Sequence, residues 1–157
     1  MKDQKKLPKI KFTKNGVAEL KKELSDLETK RPKIVKDLKK AREMGDLSEN
    51  GFYKAARAKL SSTDSRINHL KYLIKCANIL KPNNNTEVEF GNLVTFSMNG
   101  REFKYQIVGK YEANPRENKI SYISPLGKSL LGLKIGEKIK FMAPAGEREI
   151  TIKKIAK

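Results

Sequence analysis

Three carboxylates, Glu43, Asp46 and Glu49, stand close together in the stretch Ala41-Arg-Glu-Met-Gly-Asp-Leu-Ser-Glu-Asn50 of a strongly basic chain. A carboxylate can accept a helix-capping hydrogen bond, repel phosphates, or supply oxygen ligands to a hard cation such as Mg²⁺. Asp46-Leu-Ser-Glu49 has the spacing of a capping box, with Asp46 as N-cap and Glu49 as N3, both favourable to the helix dipole. Capping does not exclude metal chemistry, because a carboxylate has two oxygens and a cap uses few of their lone pairs. Mg²⁺ wants six oxygens in near-octahedral geometry, so two exposed carboxylates cannot hold it alone. They can complete a metal site that belongs to a partner, where a second ion would activate water and stabilise charge during phosphodiester hydrolysis.

The elements around this stretch must place the acids where a partner can meet them. Leu20, Leu24, Leu27, Arg31, Ile34, Leu38 and Ala41 follow alternating steps of four and three, an a/d heptad seam broken only by Arg31. Ala56, Leu60, Thr63, Ile67, Leu70, Ile74 and Ala77 repeat the rhythm. Two helices of roughly 30 residues, each about 45 Å long, are therefore predicted. The joint Met44-Gly45-Asp46 is too short for a parallel return, so the helices form an antiparallel coiled-coil finger with the acids at its tip. Pro32 removes one backbone donor and crowds the carbonyl four residues back, which predicts a bend in the first helix.

Beyond Leu80 the pattern changes. Residues 1–80 read as the finger, the turn-rich Lys81-Pro-Asn-Asn-Asn-Thr86 as a linker, and residues 87–157 as a second domain. There the period becomes two: Leu93–Met98 and Arg101–Val108 flank Asn99-Gly100, a type I′ hairpin signal. Strands are also predicted at Lys119–Ile123, Glu137–Met142 and Arg148–Ile155. Ser124-Pro125 opens a short helix that Gly132 closes. The fold class is α+β in two domains, a helical hairpin followed by a small antiparallel sheet domain with one short helix.

Lysine and arginine number 35 against 18 acids, a net charge of +17, which favours a polyanionic partner or one with an acidic surface. Residues 1–80 hold 21 basic and 10 acidic side chains and residues 81–157 hold 14 and 8, so the finger carries most of the positive field. One cysteine, Cys76, excludes an internal disulfide and reads as a small core residue of a reducing compartment. The amino terminus has no apolar h-region and no run is long enough to span a membrane, so a cytoplasmic protein is expected. The lone His69 reads as structural or solvated, and no zinc-type spacing is present.

The tip sequence Ala41-Arg42-Glu43-x-Gly45-Asp46-Leu47-x-Glu49-Asn50, followed by Tyr53 and Ala55-Ala56-Arg57, resembles that of the GreA/GreB family of bacterial transcript cleavage factors. Arg31-Pro32, Ile107-Val108-Gly109, Glu112-Ala113, Ile120-Ser121 and Ser124-Pro125-Leu126-Gly127 carry the resemblance over nearly the whole chain. The resemblance implies a finger that enters the secondary channel of RNA polymerase and reaches the nascent RNA 3′ end of a backtracked complex. Asp46 and Glu49 would help hold a Mg²⁺ shared with the polymerase and orient the attacking water, with Glu43 a lesser candidate beside them. The chain would be no enzyme by itself, would bind no cofactor tightly, and would act as a monomer. Arg42 and Arg57 match positions that contact RNA phosphates, a role suited to arginine's fork of donors, or they lie on a solvated helix face.

The resemblance further implies an FKBP-like second domain that docks on a coiled coil at the channel rim through Glu112, Ser124 and Pro125. Those residues also have local readings, Ser124-Pro125 as a helix start and Glu112 as a loop charge. An FKBP-like fold need not isomerise proline, and the chain has no tryptophan to line a prolyl pocket. Two positions depart from the family pattern: Phe52, read as a hydrophobic staple for the second helix in preference to an exposed apolar group near the tip, and Asn114, where an acid is usual. The GreA branch is favoured, because no denser basic cluster is confined to the finger beside the tip. The alternatives are a channel-binding paralogue that modulates polymerase without cleavage, against which both tip acids argue, and a basic coiled-coil RNA-binding or chaperone protein.

Overall fold

The computed structural model describes residues 7–44, 50–83, 85–143 and 146–157 and divides into two compact units. Val17–Ala77 lie in the first; Lys9–Gly16 join Asn78–Lys157 in the second.

The first unit is built from α1 (Lys14–Glu43) and α2 (Gly51–Cys76). In α1 the side chains withdrawn from water include Leu20, Ile34 and Ala41, with Leu24, Leu27 and Leu38 half-buried, and the residues between them are exposed apart from the half-buried Glu23. That is the heptad seam read from the sequence. In α2 the corresponding row is Ala56, Leu60, Thr63, Ile67 and Leu70. Contacts fall on α1 as they rise on α2: Ala41 with Asn50, Arg31 with Asp64, Glu28 with Lys71. The helices are therefore antiparallel. Burying each Ile or Leu of the seam contributes about 2 kcal/mol, more than either helix could gain in isolation.

Arg31, which breaks the apolar row, turns outward and makes a two-point bond to Asp64, Nε to Oδ1 at 2.6 Å and Nη2 to Oδ2 at 3.0 Å. Thr63 is buried and polar, but its hydroxyl donates to Lys59 O at 2.8 Å, so the seam tolerates it. Helix α1 runs through Pro32 without ending. Lys40 and Arg42 in its last turn and Lys75 in that of α2 oppose the negative ends of the helix dipoles.

Helix α2 runs from Gly51 with Asn50 as its N-cap, and Asp46 and Glu49, read as a capping box, lie outside the described residues. Asn50 Oδ1 accepts from Tyr53 N at 3.1 Å while its Nδ2 donates to Ala41 O at 2.9 Å, so one amide caps α2 and ties it to the last turn of α1. A carboxylate at this position could accept but not donate. At the other end α2 stops at Cys76, which is buried as expected, and Ala77 opens a strand instead of continuing the heptads.

The second unit contains β1 (Ile10–Phe12), which forms a two-stranded sheet with β2 (Ala77–Ile79), and a five-stranded sheet. The larger sheet comprises β3 (Leu93–Met98), β4 (Arg101–Val108), β5 (Lys119–Ser121), β6 (Lys138–Ala143) and β7 (Gly146–Ala156), in the order β5-β4-β3-β7-β6. Asn99 and Gly100 both have positive φ, 51° and 77°, as the type I′ turn between β3 and β4 requires. The three pairs β3–β4, β3–β7 and β6–β7 are antiparallel. The expectation of a wholly antiparallel sheet is corrected by β5, which runs parallel to β4. The 3-10 turn at Pro115–Glu117 and the preceding loop supply the crossover that a parallel pair needs.

Val94, Phe96, Ile107, Ile150, Ile152 and Ile155 fill the core beneath Val88 and Leu130. The spacing Ile150-x-Ile152-x-x-Ile155 breaks the period of two. A bulge absorbs the extra residue, since Thr95 pairs with Lys154 and Phe96 with Ile152, so all three isoleucines reach the core. Helix α3 (Pro125–Leu130) lays Leu130 onto this core.

Hydrogen bonding from Arg66 holds the Glu23 carboxyl below the usual carboxylate range, and Arg31 does the same to Asp64. A carboxylate with a lowered folded pKa stabilises the fold above its unfolded pKa of about 4, and that contribution is lost as pH falls through the folded value. The melting temperature of the helical signal, followed by circular dichroism, should therefore drop between pH 5 and pH 2. A Glu23→Gln/Asp64→Asn protein should show a shallower drop. Identical slopes for the two proteins would mean that these exposed pairs add nothing measurable.

Candidate functional site

The residues flanking the joint of the hairpin are held by helix ends. Glu43 is the last residue of α1, exposed, and preceded by exposed Arg42; Met44 follows and is 72% exposed. Asp46 and Glu49 lie outside the described residues. On the other side Arg57 is exposed in the second turn of α2. The bond from Asn50 Nδ2 to Ala41 O fastens the two flanks to each other, so Arg42 and Glu43 stand beside the first turn of α2. Phe52, expected to staple that turn, is instead 77% exposed, because Tyr53 occupies the seam-facing position.

The donor set Glu43, Asp46 and Glu49 consists of hard oxygens, the chemistry Mg²⁺ prefers, and carries too few of them to complete its shell. Among the described residues no three His, Cys, Asp or Glu side chains gather as a metal cluster. No helix of the described residues is long and apolar enough to cross a membrane.

The second group of candidates sits at one end of the parallel pair β4–β5. Val108 pairs with Ser121 at the last position of both strands, and Tyr122 N donates to Val108 O at 2.9 Å. The loop carrying Glu112 and the turn carrying Ser124-Pro125 therefore leave the sheet side by side. Ser124 is the N-cap of α3 as expected: its hydroxyl accepts from Gly127 N at 3.0 Å and donates to Ser121 O at 2.7 Å. Gly127 lies so close to Ser121 O that a Cβ there would collide with it. Pro125 is the exposed member of the three. Asn114 caps the 3-10 turn, its Oδ1 accepting from Arg116 N at 3.2 Å.

Glu112 is more than a loop charge. Its carboxylate accepts from Thr13 N, from the Thr13 hydroxyl and from Gly109 N, the last at 3.0 Å. The same Thr13 oxygen accepts from Gly16 N at 3.0 Å and so caps the start of α1. Side chains at Gly16 or Gly109 would collide with the carboxylate, so two glycines make room for one acid. Lys11 adds its ammonium 4.9 Å above the Tyr122 ring, and Phe12 stacks on Tyr111 with centroids 6.3 Å apart. Sequence reasoning missed this cradle because its halves are 99 residues apart. The local signal, Thr13 three residues before Gly16 at the head of a heptad run, was legible as a cap alone.

Replacing Glu112 by alanine leaves Thr13 N and Gly109 N without their acceptor. Bonds to a charged acceptor contribute about 2 kcal/mol net, so denaturant unfolding should show a loss of that order, and Glu112→Gln should recover part of it. A Glu112→Ala protein as stable as the parent would show that the cradle is not a stabilising device.

Comparison with known proteins matches both halves of the chain. Residues 10–79 match the family described as "Transcription elongation factor, N-terminal" and residues 82–157 the one described as "Transcription elongation factor, GreA/GreB, C-term". A protein of Bacillus anthracis named Transcription elongation factor GreA is 44% identical over 146 residues, covering 90% of this chain and 92% of that one. Its namesake in Listeria monocytogenes is 42% identical over 149 residues, covering 92% and 93%. The crystal structure of GreA factor homolog 1 of Thermus thermophilus is 27% identical over 95% of this chain and 99% of that one, with a TM-score of 0.44. Two family matches that together run from residue 10 to residue 157, and relatives above 40% identity over nine-tenths of the chain, make it a member of the GreA/GreB family of transcription elongation factors.

Proposed function

We propose that the protein binds bacterial RNA polymerase, inserts its helical hairpin into the secondary channel, and stimulates the polymerase's own hydrolytic cleavage of the nascent RNA 3′ end in backtracked complexes. The observation that carries this reading is the position of Asp46 and Glu49, in the segment joining two helices of 30 and 26 residues, in a chain that matches the family along nearly its whole length. At 1.5 Å per residue those helices reach about 45 and 39 Å, enough to carry a tip into a partner's interior.

Mg²⁺, when bound in the complex, supplies an activated water and a counter-charge for the phosphodiester. Asp46 and Glu49 supply oxygen ligands that the protein cannot complete alone, and they orient the attacking water by accepting its protons in hydrogen bonds. Glu43 adds negative potential beside them from the last turn of α1. Arg42 and Arg57 flank the acids and offer forked donors to RNA phosphates, which holds the displaced strand near the acids without neutralising them. Glu112, Ser124 and Pro125, brought to one end of β4 and β5, mark the docking surface on the rim. Pro125 offers the exposed contact, and Glu112 and Ser124 shape the two loops around it. The protein acts as an accessory to the polymerase, in the cytoplasm and as a monomer.

Adding the purified protein with Mg²⁺ to a halted, backtracked elongation complex should release short 3′ RNA fragments and let synthesis resume. Asp46→Asn with Glu49→Gln should slow cleavage by at least about tenfold while leaving polymerase binding intact. Cleavage by that double variant at the parent rate, with normal binding, would remove the tip acids from the mechanism.

A further inference from the structure

Thr13 is the single residue between β1, which ends at Phe12, and α1, which begins at Lys14. It is buried, and both of its donors are spent on one acid. The main-chain N–H reaches Glu112 Oε1 at 3.2 Å and Oε2 at 3.1 Å, and the hydroxyl donates to Oε1. The hydroxyl oxygen meanwhile accepts from Gly16 N at 3.0 Å. A helix cap needs an acceptor alone, so the proton of this hydroxyl serves something other than capping. It is given to Glu112, which also holds Gly109 N at 3.0 Å. The main chains approach closely here too, since a Cβ on Gly109 would collide with Lys11 O. Nor is there slack behind Thr13: β1 is paired with β2, and Leu80 N donates to Phe12 O at 2.9 Å. Thr13, Gly16, Gly109 and Glu112 all belong to the second unit.

We infer that Thr13 is a positioning residue for the transcript cleavage proposed above, its hydroxyl tying the loop after β4 to the first turn of the helix that ends at Glu43. This rests on the reading that the loop carrying Glu112 shapes a docking surface and that the acids beyond Glu43 act on RNA. Helix α1 is continuous from Lys14 to Glu43, about 45 Å at 1.5 Å per residue. A tilt of about one degree at its first turn therefore displaces its far end by about 0.8 Å. Catalytic groups misplaced by about 1 Å lose up to about a hundredfold in rate, so play at the root is felt in the chemistry. Thr13 itself touches neither RNA nor metal. It acts through Glu112 on one side and Gly16 on the other, a double task that a hydroxyl can perform and a methyl cannot.

The test measures cleavage in a backtracked complex against protein concentration for the parent, Thr13→Val and Thr13→Ser, each also on a Glu112→Ala background. Helical content by circular dichroism serves as the folding control. Thr13→Val should lower the cleavage rate at saturating protein about tenfold with the half-saturating concentration unchanged, and Thr13→Ser should recover it. On the Glu112→Ala background Thr13→Val should add nothing further, because the tie is already cut. A parent-like plateau in Thr13→Val, with a lower melting temperature alone, would reduce Thr13 to a structural cap and overturn the inference. So would an equal loss in both backgrounds, or a raised half-saturating concentration with an unchanged plateau. If the parent itself fails to stimulate cleavage, the proposed function falls. Amide hydrogen exchange in the free protein then decides the tie alone: faster exchange at Gly109 in Thr13→Val but not in Thr13→Ser supports it, and unchanged exchange in both overturns it.

Discussion

The apolar stripe of α1 has one place to go, the matching stripe of α2, and the first unit depends on that constraint. Neither helix carries enough burial of its own to repay the ordering of 30 or 26 residues. Paired antiparallel, they close a seam of leucines, isoleucines and alanines and bring Ala41 to Asn50 at the joint. The exposed ion pairs on the flanks, Arg31–Asp64, Glu23–Arg66 and Glu28–Lys71, add little energy each, but they favour one register over its neighbours. The acids of the joint are thus carried by a scaffold whose stability comes from its stem.

A second constraint operates at the base of α1. The Glu112 carboxylate gathers Thr13 and Gly109, and Thr13 in turn caps the helix through Gly16. One acid therefore organises a loop after β4 and the first turn of a helix near the other end of the chain. This gives Glu112 a role whether or not it touches a partner, and it explains why two glycines flank it in space. Ser124 is committed in the same manner to Ser121 and Gly127. The residues proposed to shape a docking surface are the ones that hold the loops.

Much of this architecture was legible in the sequence because its signals are local. The a/d row from Leu20 to Ala41, the Asn99-Gly100 turn and the Ser124-Pro125 helix start each depend on neighbours within one or two turns, and each appears where it was read. What was missed is nonlocal or competes with a stronger local signal. The three-residue strands β1 and β2 are too short to show a period, and β5 chooses a parallel partner through tertiary pairing. In sequence the Asp46/Glu49 spacing outweighs Asn50 as a cap, yet the Asn50 amide both caps α2 and donates to Ala41. At the site, the flanking Arg42, Glu43 and Arg57 lie as expected at the helix ends, and Phe52 faces solvent against the reading as a staple.

The central claim is that the tip acids complete a metal site they do not own. A Mg²⁺ titration of transcript cleavage tests it most directly, with saturating parent protein compared to saturating Asp46→Asn/Glu49→Gln. The account predicts a higher half-saturating Mg²⁺ concentration for the variant, with unchanged affinity for polymerase. The same midpoint for both proteins, with a difference in rate alone, would contradict it.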